Sequence, residues 1–238
     1  MILSIKNLSF GYADQEVFDD LNFGIEEGAI CGLLGLNGMG KSTLIKLIMG
    51  LKQPTAGEIS LFGQKLTPAN RDQLIEPIGV LIEQAPLYEH LTAFENLKII
   101  QMTRRLSASK IVEALDKVSL GEFADRKVKS FSMGMKQRLG LALAMMANPK
   151  FIILDEPTNG LDPLGVAAFR KTVIALNKEL GITFLISTHI LGDLEEFATD
   201  FCILHEKKIV ASGKIKDLHN KDLTDQMSLK TFFMKTVQ

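Results

Sequence analysis

The nine residues from Gly35 to Thr43 read "GLNGMGKST", and they sit between an apolar run, "AICGLL" (29–34), and a segment of helical spacing, "KSTLIKLIMG" (41–50). Three glycines within six positions suit neither helix nor strand, because glycine loses the most conformational freedom on folding. The spacing is Gly-x-x-x-x-Gly-Lys-Ser. The run before it is continuously apolar, as expected of a strand covered on both faces. The segment after it closes on Gly50, at the place of a helix C′ residue. A buried strand, a glycine loop and a helix in that order confine the chain to α/β architectures.

The rest of the chain agrees. Period-two alternation in Leu3, Ile5 and Leu8, and again in Leu21, Phe23 and Ile25, predicts strands with one buried face. "TAGEISLFG" (55–63) reads as a further strand. From Gln84 to Asn148 the character changes to helix. Thr92 and Glu95 form a capping box ahead of "FENLKIIQMTR", "SKIVEALDKVSL" follows, and "SMGMKQRLGLALAMMA" stops at Asn148-Pro149. Two apolar strands, "FIILDEP" (151–157) and "ITFLIST" (182–188), flank the amphipathic "GVAAFRKTVIALNKEL", and "FCILHE" and "KIVASG" return to strand. The expectation is one domain: a core lobe over 1–83 and 149–218, a helical subdomain over 84–148, and a tail over 219–238 that takes no assignment.

Composition narrows the function classes. A chain of 238 residues that is 46% hydrophobic can bury a proper core. With 27 basic and 28 acidic residues it carries no global field toward nucleic acid or anionic lipid. Cys31 and Cys202 lie in apolar runs without a Cys-x-x-Cys pair, and read as buried free thiols in a reducing cytosol. The start, "MILSIKNLSF", alternates where a signal peptide would show a basic start and an apolar block. Apolar windows such as "LGLALAMMA" fall short of the roughly 20 residues of a membrane span, so the chain is expected to be soluble, with any membrane role through a partner.

Two constellations carry chemistry. In a strand–loop–helix setting, Gly35, Asn37, Gly38 and Gly40 let successive backbone N–H groups form a nest for phosphate oxygens beside the positive helix end. Lys41 can reach the β- and γ-phosphates, and the hydroxyl of Ser42, next to Thr43, can hold Mg²⁺. The bland alternative is a flexible turn, which the full pattern in this setting disfavours. In "FIILDEP", four apolar residues followed by Asp155 and Glu156 put two carboxylates at the carboxyl end of a central strand, where ligands bind in such sheets. Alone, such a pair is commonly a helix cap. Beside the glycine loop, Asp155 can orient Mg²⁺ through its water shell, and Glu156 can act as general base on an attacking water.

The segment "FSMGMKQRLGLALAMMANPKFIILDEPTNGLDP" resembles the signature-to-D-loop region of ATP-binding cassette (ABC) ATPases, and the resemblance runs to about residue 218. It implies a P-loop NTPase core, with a mixed sheet and an N-terminal antiparallel β part, and an inserted α-helical subdomain. It also implies ATP and Mg²⁺ as ligands. Tyr12 falls at the adenine-stacking aromatic, and Gln84 at the glutamine whose loop joins the lobes and senses Mg²⁺ and the membrane partner. Ser132 and Gly134 match the signature, Asp162 the D-loop, and His189 in "STHIL" the switch histidine. Without the resemblance, Tyr12 and Gln84 would read as surface residues and His189 as a structural histidine. Met133 and Met135 depart from the common Leu-Ser-Gly-Gly-Gln signature, in place of its first glycine and its glutamine.

The resemblance implies a head-to-tail dimer sandwiching two nucleotides, with Ser132 and Gly134 acting on the γ-phosphate held by the other cassette. It implies a separate transmembrane permease, and so a cytoplasmic chain peripheral to the inner face of the membrane. "LIEQAPLYEHLTAFENL", the "S-x-GMKQR" form and "PTNGLDP" are similar to the branch of bacitracin and lantibiotic exporters. Export of a peptide antibiotic or other hydrophobic compound is the expected function. An importer ATPase, a non-transport cassette and a pure nucleotide-switched binding module are the alternatives.

Overall fold

A computed structural model describes residues 1–13, 15–82, 85–218 and 228–237. The chain divides into two compact units, Met1–Ile75 with Thr183–Gln238, and Glu76–Ile182.

The first unit opens with β1 (Leu3–Tyr12) and β2 (Gln15–Ile25), an antiparallel pair with Leu3 opposite Ile25. The alternating apolar residues of both strands are buried as expected. Next comes β3 (Ile30–Leu34), buried at all five positions. The glycine loop leads into α1 (Lys41–Ile48). This helix ends at Gly50, whose φ of 62° is the left-handed conformation glycine adopts without cost. Gly50 N–H donates to Leu47 O and Leu51 N–H to Lys46 O, both at 2.9 Å, a Schellman closure. Then follow β4 (Ala56–Leu61), the short β5 (Gln64–Lys65) and α2 (Arg71–Ile75). One antiparallel sheet has the order β2-β1-β4-β5.

The second unit holds β6 (Ile78–Ile82), α3 (Ala93–Thr103), α4 (Ser109–Lys117), two single 3₁₀ turns, α5 (Met133–Met145), β7 (Phe151–Asp155) and α6 (Pro163–Leu180). β6 and β7 run parallel, with Ile82 opposite Asp155. α5 packs against β6, α3, α4 and α6. It lies so close to β6 that a Cβ at Gly79 would stand 2.4 Å from Ala144 O.

The chain then returns to the first unit through β8 (Thr183–Thr188), α7 (Leu191–Glu195), β9 (Asp200–His205), β10 (Lys208–Lys214), α8 (Ile215–Leu218) and α9 (Leu229–Thr236). Here β3 is parallel to β8 on one side and β9 on the other, and β10 closes the edge antiparallel to β9. The fold is therefore α/β, with an antiparallel sheet and a mixed one, as expected.

Several elements depart from the sequence reading. β6 was not expected, because a five-residue apolar run has no period that separates strand from helix. α6 begins at Pro163 instead of 165, because Asp162 caps it and proline fits the first helical turn. The unassigned tail contains α9, whose Leu229 and Phe233 are buried four residues apart. Among the described residues no helix is long and apolar enough to cross a membrane.

Both cysteines are free and buried, on adjacent strands β3 and β9. The Cys202 thiol donates toward Gly32 O at 3.5 Å, and burial pushes it well above the usual thiol range. The native chain should resist a thiol-reactive dye at both positions and react fully once unfolded in denaturant. Labelling of the native chain at the unfolded rate would contradict this burial.

The capping box forms as predicted. Thr92 Oγ1 accepts from Glu95 N–H at 3.1 Å, and Glu95 Oε2 accepts from Thr92 N–H at 2.7 Å. That backbone N–H holds the Glu95 carboxyl below the usual range. A depressed carboxyl stabilises the fold above its unfolded value, and loses that contribution as pH falls through the folded one. Thr92→Ala should cost about 1 kcal/mol in urea unfolding at neutral pH, because it removes the hydroxyl that accepts from Glu95 N–H. It keeps the backbone N–H that holds the Glu95 carboxylate, so both chains should still lose that contribution in acid.

Candidate active site

The glycine loop starts where β3 ends. A Cβ on Gly35 would lie 2.8 Å from Leu204 O, so only glycine lets the loop pass β9 at that distance. Met39 N–H donates to Leu36 O at 3.3 Å and closes a turn. Gly38 and Gly40 take left-handed φ values of 84° and 96°, and Asn37 is exposed between the turns. Gly40 occupies the N-cap of α1, where it contributes no capping side chain. Its own place is filled from behind, because a Cβ there would meet Val17 and Phe18 of β2 at 3.0 Å.

Lys41 is 6% exposed, and its ammonium donates to Gly35 O at 2.7 Å. The cation thus lies inside the loop, bound to its first carbonyl, with Ser42 and Thr43 half-buried in the first turn of α1. A buried ammonium within a glycine loop that opens onto a helix N-terminus forms a cradle for a polyanion.

Parallel pairing adds His189. Leu34 of β3 lies opposite Thr188 of β8, so Gly35 and His189 leave adjacent strands at the same end of the sheet. The hydroxyl of Thr188 accepts from Ile190 N–H at 3.0 Å and fixes the turn around the exposed His189.

Tyr12 is at the turn end of the β1–β2 hairpin, opposite Gln15; it is 41% exposed and stacks edge-on against Phe10 at 5.0 Å. Phe10 pairs in register with Phe18, the residue beneath Gly40, so one aromatic row joins Tyr12 to the loop. Lys52 Nζ lies over the Tyr12 ring at 5.3 Å, a cation–π contact between residues 40 apart that no local pattern announces.

The remaining candidates belong to the second unit. Asp155 closes β7 at 1% exposure. Glu156 follows with φ 49°, a left-handed conformation that is strained for any residue with a Cβ. This turn ends the strand at 155, two residues before the apolar run plus carboxylates would suggest. Ser132 caps α5, its Oγ accepting from Met135 N–H at 3.2 Å. Asp162 caps α6, its Oδ1 accepting from Gly165 N–H at 2.6 Å. The two helix starts adjoin, since a Cβ on Gly134 would stand 3.6 Å from Gly165 Cα. Gln84 lies outside the described residues. The structure thus gathers Tyr12, the glycine loop, Lys41 and His189 within one unit, and Ser132, Gly134, Asp155, Glu156 and Asp162 within the other.

Comparison with known proteins returns a consistent picture. The family model described as ABC transporter matches residues 18–159. The lantibiotic transport ATP-binding protein SrtF of Streptococcus pyogenes is 39% identical over 228 residues, 93% of this chain and 97% of that protein. The bacitracin transport ATP-binding protein BcrA of Bacillus licheniformis is 39% identical over 234 residues, 95% of this chain and 75% of that protein. Among solved structures, the dimeric ATP-binding cassette MJ0796, bound to ADP and Pi in a post-hydrolysis state, superimposes with a TM-score of 0.77. It is 26% identical, with 90% of this chain and 99% of that chain covered.

The loop geometry predicts an order of tolerance. Gly40→Ala combines a disfavoured φ with a clash against Val17 and Phe18, and should cost about 2 kcal/mol or more. Gly38→Ala meets no atom within 4 Å, and should cost about 1 kcal/mol from its φ alone. Urea unfolding of the two variants checks the order.

Proposed function

The chain belongs to the ABC transporter family, and from that premise we propose that it powers export of a peptide antibiotic of the lantibiotic or bacitracin kind. At the coarser level it is the ATP-binding and ATP-hydrolysing subunit of a transporter. The observation that supports the nucleotide-site reading is the register of β3 with β8, which brings the glycine loop and His189 to one end of one sheet. The lantibiotic and bacitracin transport proteins at 39% identity support the cargo class.

In this reading Tyr12 stacks on adenine, and the amides from Gly35 to Thr43 surround the phosphates. Lys41 exchanges its bond to Gly35 O for the β- and γ-phosphates. The Ser42 hydroxyl and Asp155 carboxylate are hard oxygen donors of the kind Mg²⁺ takes, and Gln84 completes the set. Mg²⁺, when bound, neutralises charge on the phosphates. Glu156 takes a proton from the attacking water, and His189 donates a hydrogen bond to the γ-phosphate oxygen as charge develops there.

Ser132 accepts from the Met135 amide with its oxygen, which leaves its O–H proton to donate to an anion at the α5 N-terminus. That anion is the γ-phosphate of a second copy, and Gly134 and Asp162 lie at the same face. Two chains therefore close head to tail on ATP and separate after hydrolysis, and a membrane permease uses the motion. The chain accordingly works at the cytoplasmic face of the membrane, held there by the permease.

Three measurements test this reading. Affinity capture of the tagged chain from detergent-solubilised membranes should recover a multi-span protein, with faster ATP turnover than the isolated chain. Turnover with no membrane partner would favour a non-transport cassette, and a co-purifying solute-binding protein would favour import. Glu156→Gln should bind ATP and elute as a dimer in gel filtration, so a monomer at saturating ATP counts against the sandwich. Lys41→Ala should weaken ATP binding by about tenfold or more; unchanged affinity would remove that lysine from the phosphate site.

A further inference from the structure

One face of the mixed sheet in the first unit contains a gap. β3 places Gly32 in register with Ile186 of β8 and Phe201 of β9, and residues paired this way share a face. Between two large side chains stands a residue with none. Leu194 of α7 fills the gap, and a Cβ on Gly32 would lie 1.8 Å from Leu194 Cδ2. Leu194 is 1% exposed.

α7 starts two residues after His189. Its Leu194 knob therefore anchors the histidine turn on one side, as the Thr188 hydroxyl to Ile190 N–H bond does on the other. The last helix, α9, packs against α7, with Leu229 and Phe233 buried. Phe232 of α9 stacks edge-on against Phe201 at 5.5 Å, beside the same gap. The knob is thus held down by a helix some forty residues further along the chain.

We propose that Leu194, seated over Gly32 and backed by the C-terminal helix α9, is a positioning residue for His189. The inference rests on the role given to His189 above. A knob in a close-packed hole has one stable position, so it transmits a fixed placement to the turn it anchors. Loss of the knob leaves the loop amides and Lys41 in place, and frees the histidine turn. Misplacement of a catalytic group by about 1 Å is enough to cost orders of magnitude in rate.

The test compares the full chain with Leu194→Ala, Leu194→Met, His189→Ala and the Leu194→Ala/His189→Ala pair, and with a chain ending before Ser228. Leu194→Ala and the shortened chain should lose about tenfold or more in kcat. Their affinity for ATP should stay within about twofold. Leu194→Met, which conserves volume, should restore turnover. The pair should be no slower than His189→Ala alone, because both changes disable one device. Leu194→Val, with a smaller cavity, replaces Leu194→Ala if the latter does not fold.

Full turnover in Leu194→Ala, or losses that multiply in the pair, would overturn the proposal. The imidazole NMR signal of His189, identified by its loss in His189→Ala, gives a readout independent of hydrolysis. It should shift or broaden in Leu194→Ala and return in Leu194→Met. An unmoved signal refutes the positioning role, whereas a wild-type chain without turnover counts against the ATPase reading itself.

Discussion

Five buried residues, Ile30–Leu34, hydrogen-bonded in parallel to a strand on each side, are the constraint on which the first unit depends. Parallel pairing aligns carboxyl ends, so everything that follows these strands emerges on one edge of the sheet. The glycine loop follows β3 and His189 follows β8. Because both faces of β3 are covered, a slip in register would move the loop relative to the histidine and bury the wrong side chains at once. Burial of the strand and placement of the site are thus the same requirement.

Three positions near the expected chemistry are held by strain or close approach. Gly35 passes within van der Waals reach of Leu204 O, Gly40 lies on Val17 and Phe18, and Glu156 takes a left-handed conformation that its Cβ disfavours. The Glu156 conformation costs about 1–3 kcal/mol, and all three positions persist only because surrounding packing holds them. Around Gly40 that packing is the β1–β2 pair, which also bears Tyr12. In the second unit β7 is buried at all five positions up to Asp155, and the chain turns at the next residue. Each strained point is backed by an element whose own apolar face is satisfied.

In the second unit capping does comparable work. Thr92, Ser132 and Asp162 each accept a backbone N–H near the start of a helix, which fixes where α3, α5 and α6 begin. The starts of α5 and α6 meet at Gly134 and Gly165, where a Cβ on Gly134 would be in ordinary contact with Gly165 Cα. Two helix N-termini therefore point their positive ends from neighbouring places, an arrangement suited to an anion brought by another molecule.

The sequence by itself determined the local chemistry. Glycine spacing dictated a loop with left-handed residues, alternation dictated the faces of β1 and β2, and Thr92 with Glu95 dictated a capped helix, because these effects act within a few residues. Asp155 and Glu156 were legible as a pair at a strand end for the same reason. Only the tertiary structure decided what lies beside what. β6 was hidden because a short apolar run carries no period, and α9 because its apolar residues become a pattern only against the surface they cover. The cation of Lys52 over Tyr12 depends on a neighbour distant in sequence. So does the seat of Leu194 over Gly32: a glycine in a strand reads as a weak point until the side chain that fills its place arrives from more than 160 positions away.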